Sequence, residues 1–176
     1  QIQNSIGFLP GDMFVVMNPD ITIEAAAILD LVTQMQLERC QIATLNLYRD
    51  LALSESDANI RRFPDWRSLA WMSVMRSVSE PYNKKAMREA CHVDWASGAF
   101  LVFDAAHYAA LEGFDERYFM YFEDVDICYR SRQLLGQGVR YYPALKATHL
   151  AAHRNRNLFS RHALWFFRSF LKFLAL

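Results

Sequence analysis

The chain has 176 residues, enough for one domain with a sizeable core. Hydrophobic residues make up 53% and aromatics 14%, so this is a packed globular composition and not that of a disordered segment. Lys plus Arg equals Asp plus Glu at 19 each, which gives no global basic charge for nucleic-acid binding. Three widely spaced cysteines form no CxxC or Cys/His zinc pattern, and the expectation is a cytosolic chain with free thiols. No signal peptide and no run long enough to cross a bilayer is evident.

In chain order, Met13 to Met17 is a continuous apolar run, read as a buried strand. Asn18-Pro19-Asp20 follows as a turn. Glu24 to Gln36 is predicted helical, with Ala27, Ile28, Leu31, Val32 and Met35 on one face. Ile42 to Tyr48 alternates as a strand does. Residues 49–89 have no clear pattern, apart from a turn at Phe63-Pro64-Asp65-Trp66 and a short helix over 68–78. Asp94-Trp95-Ala96-Ser97-Gly98 is a turn leading into the strand Ala99 to Phe103. Asp104 caps a short helix reaching Leu111, closed by Gly113.

Glu123, Asp124 and Asp126 sit directly behind the apolar run Tyr118 to Phe122 and open a helix that stops at Gly136. A helix N-terminus favours negative charge, so Asp124 can stay ionised beside a dry wall, as a general base requires. Serving the helix dipole explains Glu123 and Asp124 equally well. Val139 to Tyr142 is a strand stopped by Pro143, and Lys146 to Leu150 is a further extended piece. Ser160 caps a last amphipathic helix reaching Leu174, with Arg161, Arg168 and Lys172 on one face. Between Arg154 and Lys172 lie five Lys or Arg and no acid, which suits either a membrane surface or packing on the domain itself. Strand-helix alternation gives an α/β sheet.

Asp20 closes a strand at its carboxyl end, where an Asp can meet a divalent metal, or simply cap a turn. His149 can add an imidazole to such a site, and His153 follows four residues on, without an HExxH context. Trp95 offers a flat face for a sugar, or for the core, and Gly98 permits close backbone approach.

Val16 to Asp20, Ile60 to Pro64, Asp94 to Val102, Gly113 to Asp126, Tyr142-Pro143-Ala144 and Thr148-His149, in that order, resemble bacterial family 2 glycosyltransferases of the rhamnosyltransferase-like kind that build O-antigen or other cell-wall glycans. The resemblance implies a GT-A-like mixed sheet flanked by helices, a nucleotide-sugar donor and inversion by single displacement. It places Asp124 as catalytic base and Asp20 and His149 as ligands of Mg²⁺ or Mn²⁺. Asn18, Trp95, Gly98, Glu123 and Asp126 then fall on the donor and acceptor side. The acceptor would be a glycan or a polyprenyl-diphosphate-linked sugar, with no nucleic acid involved. The enzyme would be cytoplasmic, peripheral on the inner face of the plasma membrane, and dTDP-rhamnose is the expected donor. Residues 1–158 would form the C-terminal part of the GT-A domain, lacking the N-terminal nucleotide-binding strands, and residues 159–176 an amphipathic helix that touches the membrane. Two other readings are a non-catalytic module of the same fold and a metal-dependent phosphohydrolase built on Asp20, Asp124, Asp126 and His149.

Overall fold

A computed structural model describes residues 7–68, 79–150 and 161–176. The expected helix over 68–78, the Ser160 cap, His153, Arg154 and Arg156 lie outside these residues, save Ser68. The elements are β1 (Met13–Met17), β2 (Ile21–Thr22), α1 (Ala25–Glu38), β3 (Ile42–Tyr48), β4 (Ile60–Arg61), β5 (Cys91–Val93), β6 (Trp95–Ala96), β7 (Phe100–Asp104), α2 (Ala105–Ala110), α3 (Glu123–Leu135), β8 (Val139–His149) and α4 (Arg161–Leu174).

The main sheet runs β1-β7-β3-β8-β2, with β5 also on β8, while β4 and β6 form a separate ribbon. It is mixed: β3 and β8 are parallel and the other pairings antiparallel. Both β1 and β3 run antiparallel to β7, so β1, β3 and β8 point the same way. Their carboxyl ends therefore share one edge with the amino end of β7. This single fact gathers the site residues.

Alternation along the strands divides the core into two layers. Phe100 and Val102 face α1, where they meet Leu31, Met35, Leu45 and Leu47. Leu101 and Phe103 face the other way, against Ile127, Cys128, Ile42 and Tyr141. The expected helical face of α1 is right in its centre, since Leu31 and Met35 are fully buried.

Three expected features differ. β1 is not a buried strand: it lies at the edge of the sheet, with Val15 and Met17 exposed. The alternation in β3 does not mark a solvent face, because six of its seven residues are buried. Thr44 and Asn46 are instead satisfied inside: the Thr44 hydroxyl donates to the Phe100 carbonyl at 2.8 Å, and Lys84 Nζ donates to Asn46 Oδ1 at 3.0 Å. Nor does Pro143 stop the strand. β8 continues to His149, and its register against β3 jumps from Leu45 opposite Tyr142 to Asn46 opposite Lys146. Pro143 sits in that bulge, where no ladder donor is needed.

α4 packs on the body through a third cluster, in which Phe170 and Phe173 bury against Tyr118, Phe122 and Val125. Among the described residues no helix is long and apolar enough to cross a membrane.

Candidate active site

α3 opens on a strained approach. Tyr121 and Phe122 both have positive φ, 67° and 71°, a region that costs non-glycine residues about 1–3 kcal/mol each. Burial offsets the strain: Phe122 is held between Phe166 and Phe170 of α4, with ring centroids 5.4 and 5.6 Å away. The turn delivers Glu123, Asp124 and Asp126 to the first turn of α3.

Asp124 is half-buried and accepts two backbone hydrogen bonds, from Gly98 N at 3.0 Å and Val125 N at 2.9 Å. Burial still dominates and pushes its carboxyl above the usual range. At Gly98 a Cβ would meet Asp124 Cβ at 3.5 Å, an ordinary contact, so alanine fits here and a larger side chain would crowd the carboxylate. Glu123 is raised too, first by burial and then by the neighbouring Asp124. Its Oε2 is buried and has no hydrogen-bond partner among the described residues.

Asp126 points elsewhere. It is fully buried and paired with Arg130 at 2.7 Å, and Arg130 in turn donates to the carbonyls of Leu111 and Gly113. It is thus part of the scaffold that ties α3 to the loop after α2. Trp95 stands half-buried in β6, with its indole N–H donated to the Arg62 carbonyl at 2.8 Å. Its ring packs partly against the layer beneath α3.

At the same sheet edge a second group forms around His149. Nε2 of His149 lies 3.3 Å from Asn18 Nδ2 and 3.4 Å from Asp20 Oδ1. Nδ1 lies 3.2 Å from Asp57 Oδ2. Nδ1 donates to the Asp57 carboxylate, and the one lone pair then left on Nε2 serves either the Asn18 amide or a cation shared with Asp20. Asp57 also accepts from Arg49 Nε at 3.3 Å and from Ala58 N at 2.7 Å. Burial would raise its carboxyl, but the His149 hydrogen bond and Arg49 outweigh it and hold it below the usual range.

Asp57 is the site residue that sequence reasoning missed. It lies in the unpatterned stretch after β3 and reaches the site because the loop 49–56 folds back. Asp50 accepts from the amides of Ser54 and Glu55, and Asp57 N donates to the Leu47 carbonyl.

The two groups are joined through the backbone. Asn18 N donates to the Ala99 carbonyl at 3.0 Å, one residue beyond the Gly98 amide that holds Asp124. Among the described residues no three His, Cys, Asp or Glu side chains are arranged as a protein metal cage. Asp20 and His149 supply one oxygen and one nitrogen donor. That suits a Mg²⁺- or Mn²⁺-type ion whose remaining ligands are phosphate oxygens and water.

No family model matches the chain. It is 32% identical over 164 residues to Rhamnosyltransferase WbbL of Escherichia coli (strain K12), covering 93% of this chain and 62% of that protein. It is 32% identical over 118 residues to the N-acetylglucosaminyl-diphospho-decaprenol L-rhamnosyltransferase of Mycobacterium tuberculosis (strain ATCC 25618 / H37Rv), covering 58% of this chain and 36% of that protein. The chain thus spans less than two thirds of the length of either relative. Among solved structures, the crystal structure of A197 from STIV is similar at a TM-score of 0.48 and 14% identity, covering 81% of this chain and 60% of that one.

Proposed function

We infer that this chain, a homologue of the rhamnosyltransferases, is part of an inverting glycosyltransferase with a GT-A-like fold. It moves a sugar from a nucleotide-sugar donor to a cell-surface glycan or a polyprenyl-diphosphate-linked acceptor, and rhamnose from dTDP-rhamnose is the sugar we favour. One of the relatives carries a diphospho-decaprenol acceptor in its name, which supports the lipid-linked class. The working place is the cytoplasmic face of the plasma membrane.

The observation that carries this reading is the shared sheet edge. It sets a carboxylate with a raised pKa, Asp124, beside a donor-side group of Asn18, Asp20 and His149, with Ala99 and Gly98 between them. Asp124 accepts the proton of an acceptor hydroxyl. The acceptor oxygen bonds to the anomeric carbon from the face opposite the diphosphate, and the bond to the diphosphate oxygen breaks, so the configuration inverts. The Gly98 and Val125 amides fix the carboxylate's direction, so the base is oriented before the acceptor hydroxyl arrives. Asp20 and His149 would hold a divalent cation, which when bound neutralises charge on the diphosphate. Asn18 lies on the donor side, and Trp95, Gly98 and Glu123 on the acceptor side.

The test is transfer of radiolabelled sugar by the full-length protein from a panel of nucleotide-sugars to a polyprenyl-diphosphate-linked acceptor, with Mn²⁺ present. Acceptor-dependent transfer is expected. Donor hydrolysis without acceptor would instead support a phosphohydrolase. The geometry speaks against that, because Asp126 is committed to Arg130 and does not join Asp20 and His149. Silence with every donor would favour a non-catalytic module.

A further inference from the structure

We propose that the outer face of α4 docks on an anionic lipid surface. The first observation is a charge partition along the chain. All nineteen acids lie at or before Asp126, while nine of the nineteen Lys and Arg lie after it. The neutral total therefore conceals an acidic first part and a last fifty residues that carry cations alone. Three of those nine are neutralised by acids of the body: Arg130 by Asp126, Arg132 by Asp94 and Arg140 by Glu38. Among the described residues no such ion pair forms on α4, whose cations are Arg161, Arg168 and Lys172.

The second observation is how the helix divides its surface. Ser169, Phe170 and Phe173 point into the body. Leu164, Phe167 and Leu171, spaced as one stripe, point out and are 68%, 40% and 40% exposed. Arg161 and Arg168 are exposed beside that stripe. Phe119, 73% exposed, extends the apolar surface from the neighbouring loop, its ring 5.1 Å from Trp165.

A stripe of large apolar side chains bordered by cations is the pattern of a helix lying in the membrane interface. Solvent alone does not favour it, since Leu and Phe gain nothing from exposure. Anionic headgroups fit the cations, and the acyl boundary fits the stripe. Lys172 takes a smaller share, because its ammonium already donates to the Arg117 carbonyl and lies over the Tyr118 ring at 5.1 Å. The docked helix would touch the carboxylate turn directly, since Phe166 and Phe170 hold Phe122.

The test is co-sedimentation of the full chain with vesicles of phosphatidylcholine alone or mixed with phosphatidylglycerol, at low and high salt. Pelleting is expected with the mixed vesicles only, and it should weaken at high salt. Each cation at an anionic surface is worth about fivefold, so Arg161→Gln with Arg168→Gln should weaken partitioning by roughly 25-fold. Leu164→Ser with Phe167→Ser and Leu171→Ser should abolish it while the melting temperature holds. No pelleting of wild type, or equal pelleting on both vesicle types, would overturn the proposal. So would a wild-type dimer in sedimentation velocity that this triple variant converts to monomer, because the stripe would then belong to a second copy. None of these readings uses transfer activity, so their failure is separate from failure of the enzymatic proposal.

Discussion

Asp57 Oδ2 accepts a hydrogen bond from Nδ1 of His149 at 3.2 Å, across 92 residues of chain. The bond fixes which nitrogen of His149 faces Asp20, so Asp57 acts as a positioning residue. Carboxylate partners of this kind typically change metal affinity by about 10- to 100-fold. Asp57→Ala is therefore expected to weaken Mn²⁺ binding in that range and to shift the ¹⁵N tautomer signature of His149. Asp57→Asn should lose less, since its amide oxygen can still accept from Nδ1. If Asp57→Ala leaves both the tautomer and Mn²⁺ affinity unchanged, the pairing has no positioning role.

Asp20→Ala should weaken Mn²⁺ and nucleoside diphosphate together, because the proposed site shares one ion between protein and phosphate. His149→Ala should do the same less strongly, as it removes a neutral donor. Calorimetric titration of Mn²⁺ with and without nucleoside diphosphate separates the two ligands. Normal binding of both by Asp20→Ala would remove Asp20 from the site.

Asp124→Asn should reduce transfer by about two to four orders of magnitude, the usual loss of a general base. The fold should persist. Burial raises this carboxyl above its ordinary value, so the charged form is the one the folded state disfavours. Its stabilising contribution is present below the unfolded pKa and is lost as pH rises through the folded one. At neutral pH the neutral amide escapes that penalty but turns its NH2 toward one of the two backbone donors, Gly98 N or Val125 N, so the melting temperature should fall by only a few degrees. Wild-type activity should show an acidic limb displaced upward from ordinary carboxylates. A variant with near-normal turnover would exclude Asp124 as base.

Phe170→Ala should cost about 3–5 kcal/mol, the range for deleting a fully buried aromatic ring. It also removes a support of Phe122 at its positive φ, so the loss of transfer should exceed what reduced folding alone explains. Comparing kcat per folded molecule with urea-derived stability measures this. Unchanged kcat at full folding would show that α4 holds the body together without organising the carboxylate turn.

Long apolar periods and punctuating residues made much of this legible in the sequence. Leu31 and Met35 of α1, the Asp104 cap of α2 and the left-handed Gly136 that ends α3 all act locally, and each stands where its residue type predicts. The failures are long-range. Nothing near Thr44 or Asn46 says that Phe100 and Lys84 will satisfy them inside the core. Nothing near Pro143 says that β3 will accept a bulge there. Asp57 has no motif, and its function is created by a histidine on another strand. Asp126 looked like a member of one acidic set, yet its place two residues beyond Asp124 turns it inward to Arg130.

Lys84 gives a test that depends on no ligand. Its ammonium donates to Asn46 Oδ1, Asn59 Oδ1 and the Leu47 carbonyl. It also lies 5.7 Å from the Tyr141 ring centre. Burial lowers its pKa to about 8, against a partial restoring effect of Asp57 and a further depression by Arg49. The unfolded chain keeps this proton up to the ordinary lysine value of 10.5, so above pH 8 it binds more protons than the folded state. Stability from this group must therefore rise with pH from about 8 upward, by at most about 1.4 kcal/mol per pH unit. Other buried groups act in the opposite sense within the same range, the thiols of Cys40, Cys91 and Cys128 around their ordinary value of 9.0 and Tyr118, Tyr141 and Tyr142 around 10.0, all raised by burial, so the Lys84 contribution is read as a difference between wild type and variant. Between pH 8 and 10 the stability of wild type minus that of Lys84→Met should rise with pH. The variant's absolute stability should fall at neutral pH, because Asn46 and Asn59 lose a donor at about 1–3 kcal/mol each. Chemical denaturation at several pH values reads the slope separately from the offset, and a wild-type-minus-variant difference that does not change with pH would assign the titration to another group.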